Sequence, residues 1–151
     1  MIAEWAAGLA ASPLSRALAA SHWAYPAANI GHLLGIVLAL GPVLVLDLRL
    51  LGAGRQIPFP ALSNALTPTI TVGFALVAAS GLVMALADPL TLARSPMLLP
   101  KFALITLAAL NALALRRLGA RPHPARAARH AAGSLLLWAG AVACGRLIGY
   151  L

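Results

Sequence analysis

Acidic residues are almost missing from this chain. Glu4, Asp47 and Asp88 are all it has, against 11 basic residues of which only Lys101 is a lysine. Charged residues of both signs make up 9% of the sequence, where a soluble domain carries about 25%. That is too little charge to solvate a globular surface, so a soluble domain is excluded. Cysteine is represented once, by Cys144, which rules out an internal disulfide. No phosphate-cradling glycine loop, zinc-ligand spacing or nucleophile–His–carboxylate set on one side of a membrane is present. Repeats at solenoid spacing are absent as well. The first basic residue is Arg16, so the N-terminus lacks the basic region of a secretory signal, and insertion is expected to use the first span as its signal.

What the chain does have is hydrocarbon. Its composition is 62% hydrophobic with a mean hydropathy of +0.92, and that excess must face lipid. The length suits one domain, here a single transmembrane unit over 1–151. A span needs about 20 apolar residues, and four stretches qualify: about 27–50, 66–87, 98–115 and 131–150. Pro26 and Pro100 open the first and third, Thr67-Pro68 marks the start of the second, and Asp88-Pro89 marks its stop. Pro42 after Gly41 predicts a kink within the first. Gly31, Gly35 and Ala39 form a four-residue stripe that lets another helix approach closely. Residues 1–23, with Trp5, Leu9, Leu14, Leu18 and Trp23 set against Glu4, Ser12, Ser15, Arg16 and Ser21, read as an interfacial helix or a pair of short helices, restarting at Pro13. The predicted fold class is all-α: an integral membrane four-helix bundle with an N-terminal amphipathic segment.

The net charge of +8 would suggest nucleic acid in a soluble protein. Here the basic residues gather in loops, which is how membrane proteins set orientation, so no nucleic-acid partner is expected. Arg49 and Arg55 in the first loop and Arg116, Arg117, Arg121, Arg126 and Arg129 in the third share a side, which should be cytoplasmic. Both termini then face the periplasm. His123 and His130 sit among those arginines and read as loop residues facing anionic headgroups. The Ala, Leu and Arg bias suggests a GC-rich bacterial source, and with the spans the expected location is the bacterial inner membrane.

Converted to depth at 1.5 Å per residue, the polar residues fall into two layers. An outer layer holds His32, Lys101 and Arg146, with Ser80, Met84 and Cys144 nearby, and invites an anion such as a haem propionate, a lipid phosphate or a carboxylated substrate. An inner layer holds Asp47, Asn111, Thr67 and Thr71, with Arg49, Arg116 and Arg117 just outside. Asp47 is the one carboxylate within a span, and Asp47, Arg49 and Asn111 suggest a structural polar lock between helices, the alternative being a proton-relay station. His32 is open to several readings: a hydrogen bond across helices, ligation of haem iron with Gly31 and Gly35 leaving room for the ring, a copper or other metal site with Met84, Met97 and Cys144, or proton transfer. Lys101 is a candidate sixth ligand or a snorkelling side chain. Cys144 reads as a small packing residue.

The segments YPAANIGHLLG, DLRLLG (47–52), SGLVMALADP, LPKFALITLAALNALAL and GRLIGY (145–150) resemble a family of small bacterial four-span membrane proteins that has no established activity. More distantly, the chain is similar to HemJ-type protoporphyrinogen oxidase and to the membrane domain of the copper-resistance protein CopD. A histidine in the first span and a lysine opening the third mark the HemJ type, and His32 and Lys101 occupy comparable places. The resemblance implies haem b as cofactor, with His32 as axial ligand and Lys101 and Arg146 on the propionates, or Lys101 on the iron. Two other functions stay open: a non-enzymatic accessory subunit packed through its small-residue stripes (Gly31/Gly35 or Ala141/Gly145/Gly149) on itself or another membrane protein, and a metal-handling or small transport protein. The near absence of polar mid-span residues argues against a hydrophilic substrate.

Overall fold

The computed structural model describes residues 2–117 and 123–150, and all regular structure among them is helical. Arg121 lies outside the described residues. The elements are α1 (Ile2–Ala10), α2 (Pro13–Ala20), α3 (Ala24–Leu51), α4 (Phe59–Ala87), α5 (Pro89–Arg94), α6 (Leu98–Arg117) and α7 (Pro124–Leu147). Three of these, α3, α4 and α6, are long and apolar enough to cross a membrane. The fourth expected span exists as a helix, α7, but its uncharged stretch is bounded by Arg129 and Arg146, and it is not among the helices long and apolar enough to cross.

Two helix starts differ from the sequence reading, each for its own reason. Proline does not always open a helix, and basic residues do not always lie in a loop. α4 begins seven residues earlier than expected, at Phe59, and runs through Pro68. Thr67 does not cap a helix there; its hydroxyl donates to the Ser63 carbonyl one turn back. α7 likewise begins at Pro124, so Arg126, Arg129 and His130 are helical residues rather than loop residues. Helix α3 continues through Pro42.

The burial pattern is inverted relative to a water-soluble core. Among the described residues the buried apolar ones are Ala6, Ala39, Ala108, Ala127, Ala131 and Ala141, and none of the large side chains is fully buried. Leu136, Leu99, Ile30 and Val37 instead point outward. With lipid outside, large apolar side chains gain nothing by leaving it, and small ones gain close backbone packing.

Helix α3 has neighbours on two sides. It packs most extensively on α4 and also lies against α7, while α6 packs on α7. At the α3–α4 crossing a Cβ on Gly35 would stand 2.8 Å from the Val77 nitrogen, and one on Gly73 would stand 2.8 Å from the Ala39 Cα. The partners descend along α4 as the residues rise along α3, so the pair is antiparallel. The α6–α7 pair is antiparallel too: Leu104 covers Gly140, and Asn111 meets His130.

Both short N-terminal helices form where expected. Ser12 caps α2, its side chain accepting from the Ser15 N–H at 3.2 Å, with Pro13 in the first turn. They pack on the end of α4 and on α5. Buried Ser15 donates to the Leu86 carbonyl at 2.5 Å, satisfying one of the acceptors that a helix C-terminus leaves open. Asp88 then caps α5, whose six residues lie between the second and third expected spans.

The α3–α4 loop explains the DLRLLG segment. Gly52 closes α3 at φ 115°, and its N–H donates to the Arg49 carbonyl while the Ala53 N–H donates to that of Leu48. That left-handed conformation favours glycine. Arg49 spans the turn, donating from Nε to the Ile57 carbonyl at 2.8 Å and from Nη2 to the Arg55 carbonyl at 3.0 Å.

Replacing Gly73 by Ala forces α3 and α4 apart and is expected to cost about 1–3 kcal/mol, as overpacking does. Gly41→Ala, with no neighbour within 4 Å of the added carbon, should be neutral or slightly stabilising. Thermal unfolding of the two purified variants in one detergent checks the contrast, and equal melting temperatures would contradict the packing described.

Candidate functional site

The antiparallel arrangement brings His32, Ser80, Lys101 and Cys144 to one end of the long helices, and Asp47, Asn111, His130 and Ser134 toward the other.

At the first end, His32 on α3 reaches across to α4, where its Nδ1 lies 3.1 Å from the Ser80 Oγ. Ser80 is buried, and its hydroxyl donates to the Leu76 carbonyl at 2.6 Å. A hydroxyl has one proton to give, and that proton is spent on Leu76. Ser80 therefore accepts from His32, so Nδ1 carries the imidazole proton and Nε2 keeps its lone pair. A second fixed nitrogen of this kind is how metal-ligating histidines are oriented. Gly81 lets the ring approach α4 closely: a Cβ there would be 3.2 Å from the His32 Cε1.

Lys101, near the start of α6, lies within electrostatic reach of His32. Its chain runs over α7, where a Cβ on Gly145 would meet both its Cε and its Nζ at 3.5 Å, and Cys144 is its neighbour there. Arg146 is not part of this group. It donates to the Tyr150 hydroxyl at 2.9 Å and lies 5.2 Å from that ring's centroid, at an exposed helix end. The GRLIGY segment thus provides a seat for Lys101 and, separately, a cation–π contact. Gly31 and Gly35 provide no room for a porphyrin, because α4 fills the space beside them. Among the described residues, no three or more His, Cys, Asp or Glu side chains gather to hold a metal ion, which leaves His32 as a lone nitrogen donor rather than one of a cluster.

At the other end the three members of the expected lock part company. Arg49 is occupied by the loop carbonyls. Asn111 turns to α7 and holds His130 by both ends: its Nδ2 donates to the His130 carbonyl at 2.8 Å, and its Oδ1 lies 2.7 Å from the His130 Nδ1. Thr71 bonds its own helix at the Thr67 carbonyl. Asp47 is left facing α7, 5% exposed, with the Ser134 hydroxyl beside it. Its Oδ2 has no hydrogen-bond partner among the described residues. The inter-helix lock is therefore Asn111–His130. The sequence signal for His130 was present: Ala127, Ala131, Ser134 and Ala141 are buried at helical spacing, which carries α7 back through the arginines.

Comparison with models of protein families, with curated proteins and with solved structures finds no match to this chain.

The Asn111–His130 pair is expected to contribute about 0.6–1.7 kcal/mol, the range of polar pairs between membrane helices. A double-mutant cycle of Asn111→Ala and His130→Ala in detergent unfolding measures the side-chain part of it. A coupling of zero would show that the lock carries no stability.

Proposed function

We propose that this chain is a small inner-membrane protein that binds haem b through His32, and that it acts in electron transfer or another redox-linked step. The observation that carries the reading is the Ser80 hydroxyl, whose proton goes to the Leu76 carbonyl and so commits His32 to the tautomer with a free Nε2. The donor chemistry fits: a neutral imidazole is a good iron ligand, and Lys101 lies within electrostatic reach of it. Haem bound there supplies one-electron chemistry. The chain's own part is to hold the ligand nitrogen through Ser80 and to offset propionate charge with Lys101. Arg146, engaged with Tyr150, is left out of that role. The likeness of His32 and Lys101 to the pair in HemJ-type oxidases supports the same reading.

We also take α7 as the fourth span, since it runs antiparallel to α6 and lies against α3. The end bearing Arg49, Arg55, Arg116, Arg117, Arg126 and Arg129 is then cytoplasmic by the positive-inside rule, with α1 and α2 lying at the periplasmic interface.

One observation favours a second reading, an accessory subunit with no cofactor. The same His32–Ser80 bond ties α3 to α4, and a purely structural clamp needs nothing more. The two readings separate in one experiment. Protein expressed with ample haem and purified in detergent should show a Soret band that shifts on dithionite reduction. His32→Ala should lose it, and Ser80→Ala should weaken haem retention by about 10–100-fold, as loss of a supporting hydrogen bond to a ligand does. Absence of a Soret band at any haem supply, with His32→Ala lowering thermal stability, would overturn the haem reading in favour of the clamp.

A further inference from the structure

A second site lies farther along α3, toward its Asp47 end. Between α3 and α7 the structure has a groove of about 480 Å³, lined by Leu40, Val43, Leu44, Leu135, Trp138 and Val142, with Asp47 among its wall residues. That volume is within the range of small-molecule sites. Apart from Asp47 the lining is hydrocarbon and indole. Asp47 is buried, and its Oδ2 is the unpartnered oxygen described above.

A bare carboxylate in a low-dielectric wall costs several kcal/mol unless it takes a proton or a counter-charge. Among the described residues none supplies a counter-charge here. Arg49 belongs to the turn, and two residues apart on a helix it does not face Asp47. The polar neighbour across the interface is Ser134, a neutral hydroxyl. A hydrated metal ion is a poor occupant, because the apolar walls cannot replace its water. A cation that carries its own hydrocarbon satisfies both features: its charge answers Asp47, and its body displaces lipid from the walls. Trp138 adds a π face for a positive charge, and the ring is braced by Phe74 at a centroid distance of 5.3 Å.

We propose that the α3–α7 groove is a binding site for lipophilic organic cations, with Asp47 as the counter-ion and Trp138 as the aromatic wall. The site is separate from the His32 end and does not depend on haem.

Equilibrium dialysis of radiolabelled tetraphenylphosphonium against the full-length protein in detergent tests it, with empty micelles as the blank. Saturable binding of one cation per chain is expected. Asp47→Asn keeps the shape and removes the charge, and should weaken binding by about thirty-fold or more, the usual cost of deleting one partner of a buried charge pair. Ala139→Phe keeps the carboxylate but narrows the groove, and should weaken binding as well. Neutral triphenylphosphine oxide should not compete. Both variants are first checked for a melting temperature and elution volume like those of the parent. If either fails, Asp47→Glu and Val142→Phe take their places: Asp47→Glu, which keeps the charge, should retain binding, and Val142→Phe should lose it. Absence of saturable binding, binding unchanged in Asp47→Asn, or binding unchanged in the groove-filling variant would each overturn the proposal.

Discussion

Backbone contact between α3 and α4 at Gly35, Ala39 and Gly73 sets the position of everything else in this protein. A side chain at Gly35 or Gly73 would collide with main-chain atoms, which cannot move aside as the end of a long side chain can. The two helices therefore have one separation and one register. That register places His32 opposite Ser80 and Gly81, one turn beyond the crossing, and fixes the tautomer on which ligand chemistry depends. A shift of a single residue along α4 would remove the serine from the histidine. The small-residue stripe is thus spent inside the chain, and it is not available for a second copy or another subunit.

Once those helices are close, the remaining polar groups have few places to go. In hydrocarbon each must find a partner within the fold. Ser80 and Thr71 return to their own helix carbonyls, Asn111 takes His130, and Arg49 takes the loop. Lys101 lies over Gly145, a position on α7 with no side chain to block it. These are local solutions, each made by a residue type that can supply the missing donor or acceptor. Asp47 is the exception: Ser134 is its neighbour on α7, and its Oδ2 has no hydrogen-bond partner among the described residues.

How far the sequence is legible follows from which physical signal each feature leaves. Hydrocarbon length marks the three most apolar helices, because it depends on composition alone. The stripe of Gly31, Gly35 and Ala39 signals close packing, yet its partner is invisible until Gly73 and Ser80 are brought opposite. Helix starts are misread at Pro68 and around Arg126. Proline is tolerated within a membrane helix when the freed carbonyl finds other company, and arginines lie comfortably on an exposed helix face. The two polar layers are readable from depth, since rise per residue is fixed. Membership within each layer is not, because depth says nothing about which way round the helix a side chain points.

Angle around the helix is what divides the DLRLLG segment. Successive residues turn by about 100°, so Asp47 and Arg49 point to nearly opposite sides although they are close in sequence. A carboxylate and a guanidinium two positions apart look like a pair on paper, and helix geometry forbids it. Arg49 goes to the turn and makes Gly52 and Arg55 a fixed cap. Asp47 goes to the α7 side, where the chain offers a hydroxyl and hydrocarbon. Had the segment only to end a helix, an apolar residue at position 47 would do so at less cost, since burying a carboxyl group with an unsatisfied oxygen is unfavourable. The arginine and glycine account for the local fold, and the aspartate does not. A buried charge-bearing group that the fold does not need is the kind of residue that a ligand explains, and the groove beside it has the shape and chemistry for one.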